Sequence, residues 1–305
     1  MKKYLIGVLI SFTVSFSQTL KFEEGLNVFI NNNYDILTQK NEIEKAKADI
    51  ITAKLRPNPV FTSNFTYYNI RNLMDRSNTQ NSFRIDQEIE TANKRGLRIK
   101  LSEKMLQYTQ LNFKASLKDY INNYLNAYTQ LIYDKLELEN SKSNLQDYQK
   151  ILEIAKIQYE KGFLSALDYE KLKLSMLDYQ KDYYSNLENF NKDKEYLRFL
   201  INYDFDDIEI PDIKHDSKEF DINQVINKAL ENRYDIKSSK TYIEASQVQI
   251  DLNKAMAIPN ITVGLEFDGL AEKYNFIGIG FSIPIPIFDR NQGEILKSKI
   301  NLIQP

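Results

Sequence analysis

The sequence repeats itself at an offset of 200 residues. Asn33-Tyr34-Asp35-Ile36 returns as Arg233-Tyr234-Asp235-Ile236, Glu44 as Glu244, Ile50 as Ile250, Lys54 as Lys254 and Pro59 as Pro259. In each copy a helix-like stretch runs into a proline and then into an alternating strand. A repeat that keeps its spacing across two such transitions is a structural unit used twice, and it is too long for the roughly 20–50-residue units of a solenoid. A duplicated half-protein is expected, with a second copy that stops at Pro305 soon after its strands.

Between Gly96 and Gly162 lie 65 residues without Gly or Pro. As one helix, at about 1.5 Å per residue, they reach up to ~100 Å, far beyond ordinary globular helices. Leu97, Leu101, Leu111, Leu117, Tyr120, Tyr124, Tyr128, Leu131, Leu138 and Leu145 recur at three- and four-residue steps, with slips. A second Gly- and Pro-free run follows Gly162 to about Leu200, so residues 97–200 read as an antiparallel helical hairpin. Two helices of this length cannot bury their apolar stripes on each other alone. A partner is implied.

Four segments alternate with period two. Phe61, Ser63, Phe65 and Tyr67 share one parity, as do Phe83, Ile85, Gln87 and Ile89. In the second copy the same holds for Ile261, Val263, Leu265 and Phe267, and for Ile277, Ile279, Phe281, Ile283, Ile285 and Ile287. Such alternation fits a sheet half-buried on a soluble core. Three features favour a transmembrane barrel instead: strands of about 9–11 residues, the length that spans a bilayer when tilted, two hairpins with polar tips at 69–81 and 268–275, and flanking helices too long to fold back over the sheet. The lipid-facing candidates are Phe61, Phe65, Ile85, Ile261, Val263, Leu265, Ile279, Phe281, Ile283 and Ile285. Even the smallest barrels have about eight strands. Several chains must therefore contribute.

The chain begins like an exported one. Lys2 and Lys3 precede the mostly apolar run Tyr4 to Phe16, and Ser15-Phe16-Ser17 is a small-x-small cleavage signature ahead of Gln18. That apolar run is too short for a membrane helix. With no Cys anywhere, neither a lipid-anchoring cysteine nor a disulfide is available. A formal charge of −2 gives no basic surplus for nucleic acid. No catalytic or metal site is expected: His215 is the one histidine, no nucleophile elbow or phosphate loop occurs, and Gly278 and Gly280 continue a strand alternation. The carboxylates Asp204, Asp206, Asp207, Glu209 and Asp212 read as a solvated acidic linker.

The hairpin turn carries the functional expectation. Gly162 suits a left-handed helix end, Ser165 suits the next N-cap, and Asp168 stands at its third helical position. Phe163 and Leu164 are not needed for a turn. Apolar residues in a water-facing loop mark a contact surface.

Taken in order, these features resemble the TolC-like outer-membrane efflux proteins. Phe22-Glu23-Glu24-Gly25-Leu26 followed by Asn31-Asn32-Asn33-Tyr34-Asp35-Ile36 is similar to the family's opening, and Ala229 to Ile236 to its second half. Tyr159-Glu160-Lys161-Gly162-Phe163-Leu164-Ser165-Ala166-Leu167-Asp168 resembles its hairpin-tip motif. Three stretches resemble the CzcC-like branch serving heavy-metal efflux: Leu55-Arg56-Pro57-Asn58-Pro59, Glu90 to Gly96, and Pro284 to Gly293. The middle one departs, with Ala92-Asn93 where that branch has two glycines.

The resemblance implies a fold that is mainly α with transmembrane β. A long helical hairpin forms part of an α-barrel, and four strands per chain join a homotrimeric twelve-stranded β-barrel. The expected parts are a signal peptide at 1–17, a helical stretch at 18–58, hairpins at 59–92 and 259–288, the helical hairpin at 97–200, a linker at 201–221, repeat helices at 222–258 and the start of a truncated helix at 293–305, with the second helical hairpin missing. It also implies a passive duct in the outer membrane, with no cofactor. The duct takes cations or small toxic compounds from an inner-membrane transporter of the RND type through a periplasmic adaptor, which meets the tip at Gly162, Phe163, Leu164, Ser165 and Asp168. The alternatives are a periplasmic coiled-coil scaffold without a channel, and a non-functional remnant of a duct.

Overall fold

The computed structural model describes residues 18–67, 79–212, 221–270 and 274–303. The expected leader, His215, most of the first hairpin tip and residues 271–273 of the second lie outside them. The chain divides into two compact units: residues 1–38 with 116–219, and 39–115 with 220–305.

The first unit holds β1 (Thr19–Leu20), α1 (Phe22–Asn32), the part of α3 (Lys94–Glu160) from Ser116 onward, α4 (Ala166–Ile201) and β4 (Asp207–Ile208). Its core is built around two tyrosines one helical turn apart. Tyr124 and Tyr128 are fully buried with Leu20, Phe29, Leu131, Leu197 and Ile201. Phe29 stacks on Tyr124 at 5.4 Å, and Phe22 meets Tyr128 edge-on at 5.3 Å. Burying a phenol requires a partner for its hydroxyl. Tyr124 donates to the Phe22 carbonyl at 2.9 Å, while the Tyr128 hydroxyl lies 2.7 Å from the Glu209 carbonyl and 3.0 Å from that of Leu20. Burial pushes Tyr128 up to about 12, with the Glu209 and Asp207 carboxylates adding to the rise, so it stays a neutral donor.

Gly25 lets α1 approach: a Cβ there would stand 2.3 Å from the Tyr124 hydroxyl. The segment expected as a solvated linker contributes to this core. Phe205 and Ile208 are buried, and β4 pairs in parallel with β1. Two of its acids are paired, Asp207 with Lys135 at 2.7 Å and the exposed Asp204 with Arg198 at 3.1 Å. The stretch expected to be helical from residue 18 accordingly begins with a strand.

The helical hairpin is as expected. Its antiparallel sense is fixed by Tyr159 stacked on Tyr169 at 5.1 Å, Tyr148 on Tyr179 at 4.5 Å, and the Asn186 amide donating to the Glu137 carbonyl at 3.5 Å. Ile151, Ile154 and Ile157 of α3 and Leu174 and Leu177 of α4 remain exposed. Asp134 is buried between the helices; one oxygen accepts from Gln130 at 3.0 Å and the other has no donor. Burial, then the neighbouring Asp193, raises it above the usual carboxylate range.

The second unit contains one sheet of β2 (Val60–Tyr67), β3 (Thr79–Ile89), β5 (Ile261–Leu270) and β6 (Tyr274–Ser282), antiparallel throughout in the order β2-β3-β5-β6. The same unit holds α2 (Tyr34–Lys54, from Gln39 onward), the start of α3, α5 (Ile222–Asn232), α6 (Tyr234–Met256) and α7 (Gln292–Ile303). The repeat is structural: α1 and α5 begin at Phe22 and Ile222, α2 and α6 at Tyr34 and Tyr234, and each copy then gives a β-hairpin and a helix. No described helix is long and apolar enough to cross a membrane.

One strand differs from expectation. The alternation 277–287 suggested a strand to Ile287, but β6 ends at Ser282. Ile283 and Ile285 thus lie beyond it. Pro284 and Pro286 have no N–H to give a ladder, and β5 has only Ile261 left beyond the Thr262–Ser282 pair.

Candidate functional site

Every register in the sheet pairs odd with odd. Phe61 faces Ile85, Ile85 faces Leu265 and Leu265 faces Ile279, while Val263 faces Phe281 and Ile89 faces Ile261. Directly opposed residues point to the same side, so the expected apolar positions within the strands share one face. That face is largely bare: Phe61, Phe65, Ile85, Leu265, Ile279 and Phe281 are exposed, from 52% to 72%, while Ile261 and Val263 are half-buried.

The other face is polar. Arg84 lies 2.8 Å from Asp86 and 3.8 Å from Glu266, and Gln80 donates to Asp268 at 2.6 Å. Gly264 and Gly280 make room for these groups. A Cβ on Gly264 would come within 2.3 Å of the Asp86 carboxylate, and one on Gly280 within 3.2 Å of the Arg84 guanidinium. Acids outnumber bases here, with Asp86, Glu88, Glu266 and Asp268 against Arg84. The sheet thus has one apolar face and one charged face, and among the described residues no three acidic, histidine or cysteine side chains gather to hold a metal.

The strands join the helices through a buried corner. Lys94 is 3% exposed, and its ammonium donates to the Ile258 carbonyl and the Asn260 side chain. The Thr91 hydroxyl donates to the Pro259 carbonyl at 2.6 Å. Burial lowers the Lys94 ammonium from its ordinary value. Ala92 and Asn93 make the turn at φ 52° and 56°, the left-handed region that favours glycine. Asn tolerates it; Ala does not. Ala92→Gly should therefore raise stability by about 0.5–1 kcal/mol, read as a higher denaturant midpoint. An unchanged or lower midpoint would show that the corner carries no strain.

At the hairpin turn, Gly162 has φ +79°, the Phe163 N–H donates to the Gln158 carbonyl at 2.8 Å, and the Gly162 N–H to the Tyr159 carbonyl at 2.9 Å. This is a Schellman end, in which glycine avoids a Cβ clash. Ser165 caps α4, its oxygen accepting from the Asp168 N–H at 3.1 Å. The Asp168 carboxylate takes the Ser165 hydroxyl at 2.7 Å rather than a backbone N–H. That bond, with Lys171 nearby, holds Asp168 below the usual carboxylate range. Phe163 is 82% exposed, whereas Leu164, expected to be exposed, is half-buried. Leu167, one turn into α4, is more exposed than Leu164 and was not singled out in the sequence.

Residues 26–202, more than half of the chain, match the outer membrane efflux protein family. The chain belongs to that family. A 74-residue stretch is 34% identical to the cobalt-zinc-cadmium resistance protein CzcC of Cupriavidus metallidurans; it spans 24% of this chain and 18% of that protein. The fold matches the transmembrane channel CusC with a TM-score of 0.70 at 14% identity, over 93% of this chain and 70% of that one. It matches the outer membrane protein VceC of Vibrio cholerae with a TM-score of 0.70 at 15% identity, over 92% and 72%. At such identities the matches speak for the fold alone, mainly helical with one four-stranded antiparallel sheet.

Proposed function

We propose that this outer membrane efflux protein is a passive duct. On this reading its odd-numbered strand residues face lipid, its even-numbered ones face water, and three copies close a twelve-stranded barrel. The observation that carries it is the two-faced sheet, whose apolar side is exposed and whose edges β2 and β6 have no further partner strand among the described residues. Open sheet edges do not persist in hydrocarbon, where each unpaired backbone group costs several kcal/mol. Closure with further copies supplies the partners.

The acidic surplus on the polar face favours cations as cargo, in keeping with the kinship to a cobalt-zinc-cadmium resistance protein. An inner-membrane transporter of the RND type supplies the substrate, and a periplasmic adaptor links it to the hairpin tip. Cleavage after Ser17 sends the chain on its way. The test is reconstitution of the full chain into planar bilayers. Stable conductance steps with a reversal potential biased toward cations are expected; a protein that fractionates with the soluble periplasm instead favours the scaffold alternative.

The tip is testable separately. Phe163→Asp should abolish crosslinking to the adaptor while leaving outer-membrane assembly intact, since neither the Schellman end nor the Ser165 cap uses that side chain. Retained crosslinking with normal assembly sinks the tip assignment.

A further inference from the structure

The leader signature puts the first residue of the processed chain at Gln18. That residue is already held. Its backbone nitrogen donates to Asp206 Oδ2 at 3.1 Å, and the Asp206 N–H donates back to the Gln18 carbonyl at 3.1 Å. Directly afterwards Thr19 and Leu20 pair with Asp207 and Ile208, and the fully buried Leu20 has its carbonyl in reach of the Tyr128 hydroxyl. The position of the Gln18 nitrogen is thus set by the fold.

Cleavage changes the chemistry of that nitrogen. A backbone amide becomes an α-amino group, and such groups titrate at about 7.7–8.0, so most are charged near neutral pH. A neutral donor facing a carboxylate becomes an ammonium facing it, the stronger, charge-assisted form of the bond. We infer that removal of the leader creates an N-terminal ion pair, the Gln18 α-ammonium with Asp206, which docks the new chain start on the first unit and protects it from cyclisation. This rests on the proposed export of the chain.

Cyclisation is the intrinsic fate of a free N-terminal glutamine. The unprotonated α-nitrogen attacks the side-chain Cδ and a new N–C bond forms. The bond from Cδ to the carboxamide nitrogen breaks, and that nitrogen leaves as ammonia, taking up a proton from the α-nitrogen. A five-membered lactam without charge remains. An ammonium has no lone pair to attack with, so a carboxylate that holds the nitrogen protonated slows the reaction. Both groups are exposed, which makes the pair a latch for the terminus and a small contributor to global stability.

The experiment is N-terminal sequencing and intact mass on the full chain purified from the cell envelope. The expected protein starts at Gln18 with its carboxamide intact. Asp206→Asn keeps the size and an oxygen acceptor but removes the charge. On storage at neutral pH it should lose one ammonia from the terminal residue on the order of two- to fivefold faster than wild type, the size set by an exposed ion pair. Asp206→Glu should return toward the wild-type rate. Asp204→Asn, which removes the neighbouring carboxylate paired with Arg198, should leave the rate unchanged. An uncleaved chain, a start at any other residue, or equal rates in wild type and Asp206→Asn overturns the inference. A chain cleaved at Gln18 but absent from the outer membrane counts against the duct and not against the latch.

Discussion

Leu265→Arg should remove most of the protein from the outer membrane. Leu265 sits between Ile85 and Ile279 in the middle of the apolar face. In the proposed barrel an arginine on the lipid side costs about 2–4 kcal/mol at the bilayer midplane, and the proposed trimer would place three of them together. Ser82→Arg should be mild by comparison, because Ser82 is on the polar face opposite Asp268. Outer-membrane fractionation and heat-dependent gel migration of the two variants make the measurement. Equal loss of assembled protein from both would mean that the two faces do not meet different solvents.

Gly25→Val should destabilise the first unit strongly while leaving the strands untouched. The Cβ alone would stand 2.3 Å from the Tyr124 hydroxyl and 3.1 Å from a Leu20 methyl. Tyr124 is fully buried and cannot step aside into solvent. Overpacking of this kind costs about 1–3 kcal/mol, and moving the phenol breaks its bond to the Phe22 carbonyl, leaving a buried hydroxyl unpaired for about 1–3 kcal/mol more. A large drop in unfolding midpoint is expected. Gly293→Ala is the control, since nothing lies within 4 Å of a Cβ there. A midpoint within error of wild type for Gly25→Val would show that α1 does not pack against Tyr124 in solution.

Periodicity made most of the fold legible. The helical hairpin, its turn at Gly162, the four strands and the doubling of the half-unit follow from apolar spacing and from where Gly and Pro fall. The parity of Phe61, Ile85, Leu265 and Ile279 forecast a common face, and the registers put them on one. Periodicity also misled at the end of β6, where isoleucines alternate with prolines that cannot donate to a ladder. It was silent on the segment 203–212, because a two-residue strand carries no period and its acids outnumber its apolar residues. Phe205 and Ile208 are the signal there, but only a partner at Thr19–Leu20 gives them meaning. The Ala92-Asn93 departure was visible as a substitution, whereas its cost needed the backbone angles. At the tip, spacing could not tell which apolar residue points outward. Phe163 does, and Leu164 is half-covered.

The strand order β2-β3-β5-β6 sets a sequence of events in time. Each hairpin pairs strands that are near in sequence, Tyr67 with Thr79 and Leu270 with Tyr274, and such closures take microseconds. The central pairing is another matter: Gln80 bonds Asp268 across 188 residues of chain, with both long helices in between. Closing so long a loop costs little more than closing one half as long, but contacts this distant form late and set the folding rate. Until they do, two hairpins carry bare apolar faces and four unpaired edges through an aqueous compartment, the condition in which strands aggregate. On the proposed export route the hazard to a new chain lies in this interval.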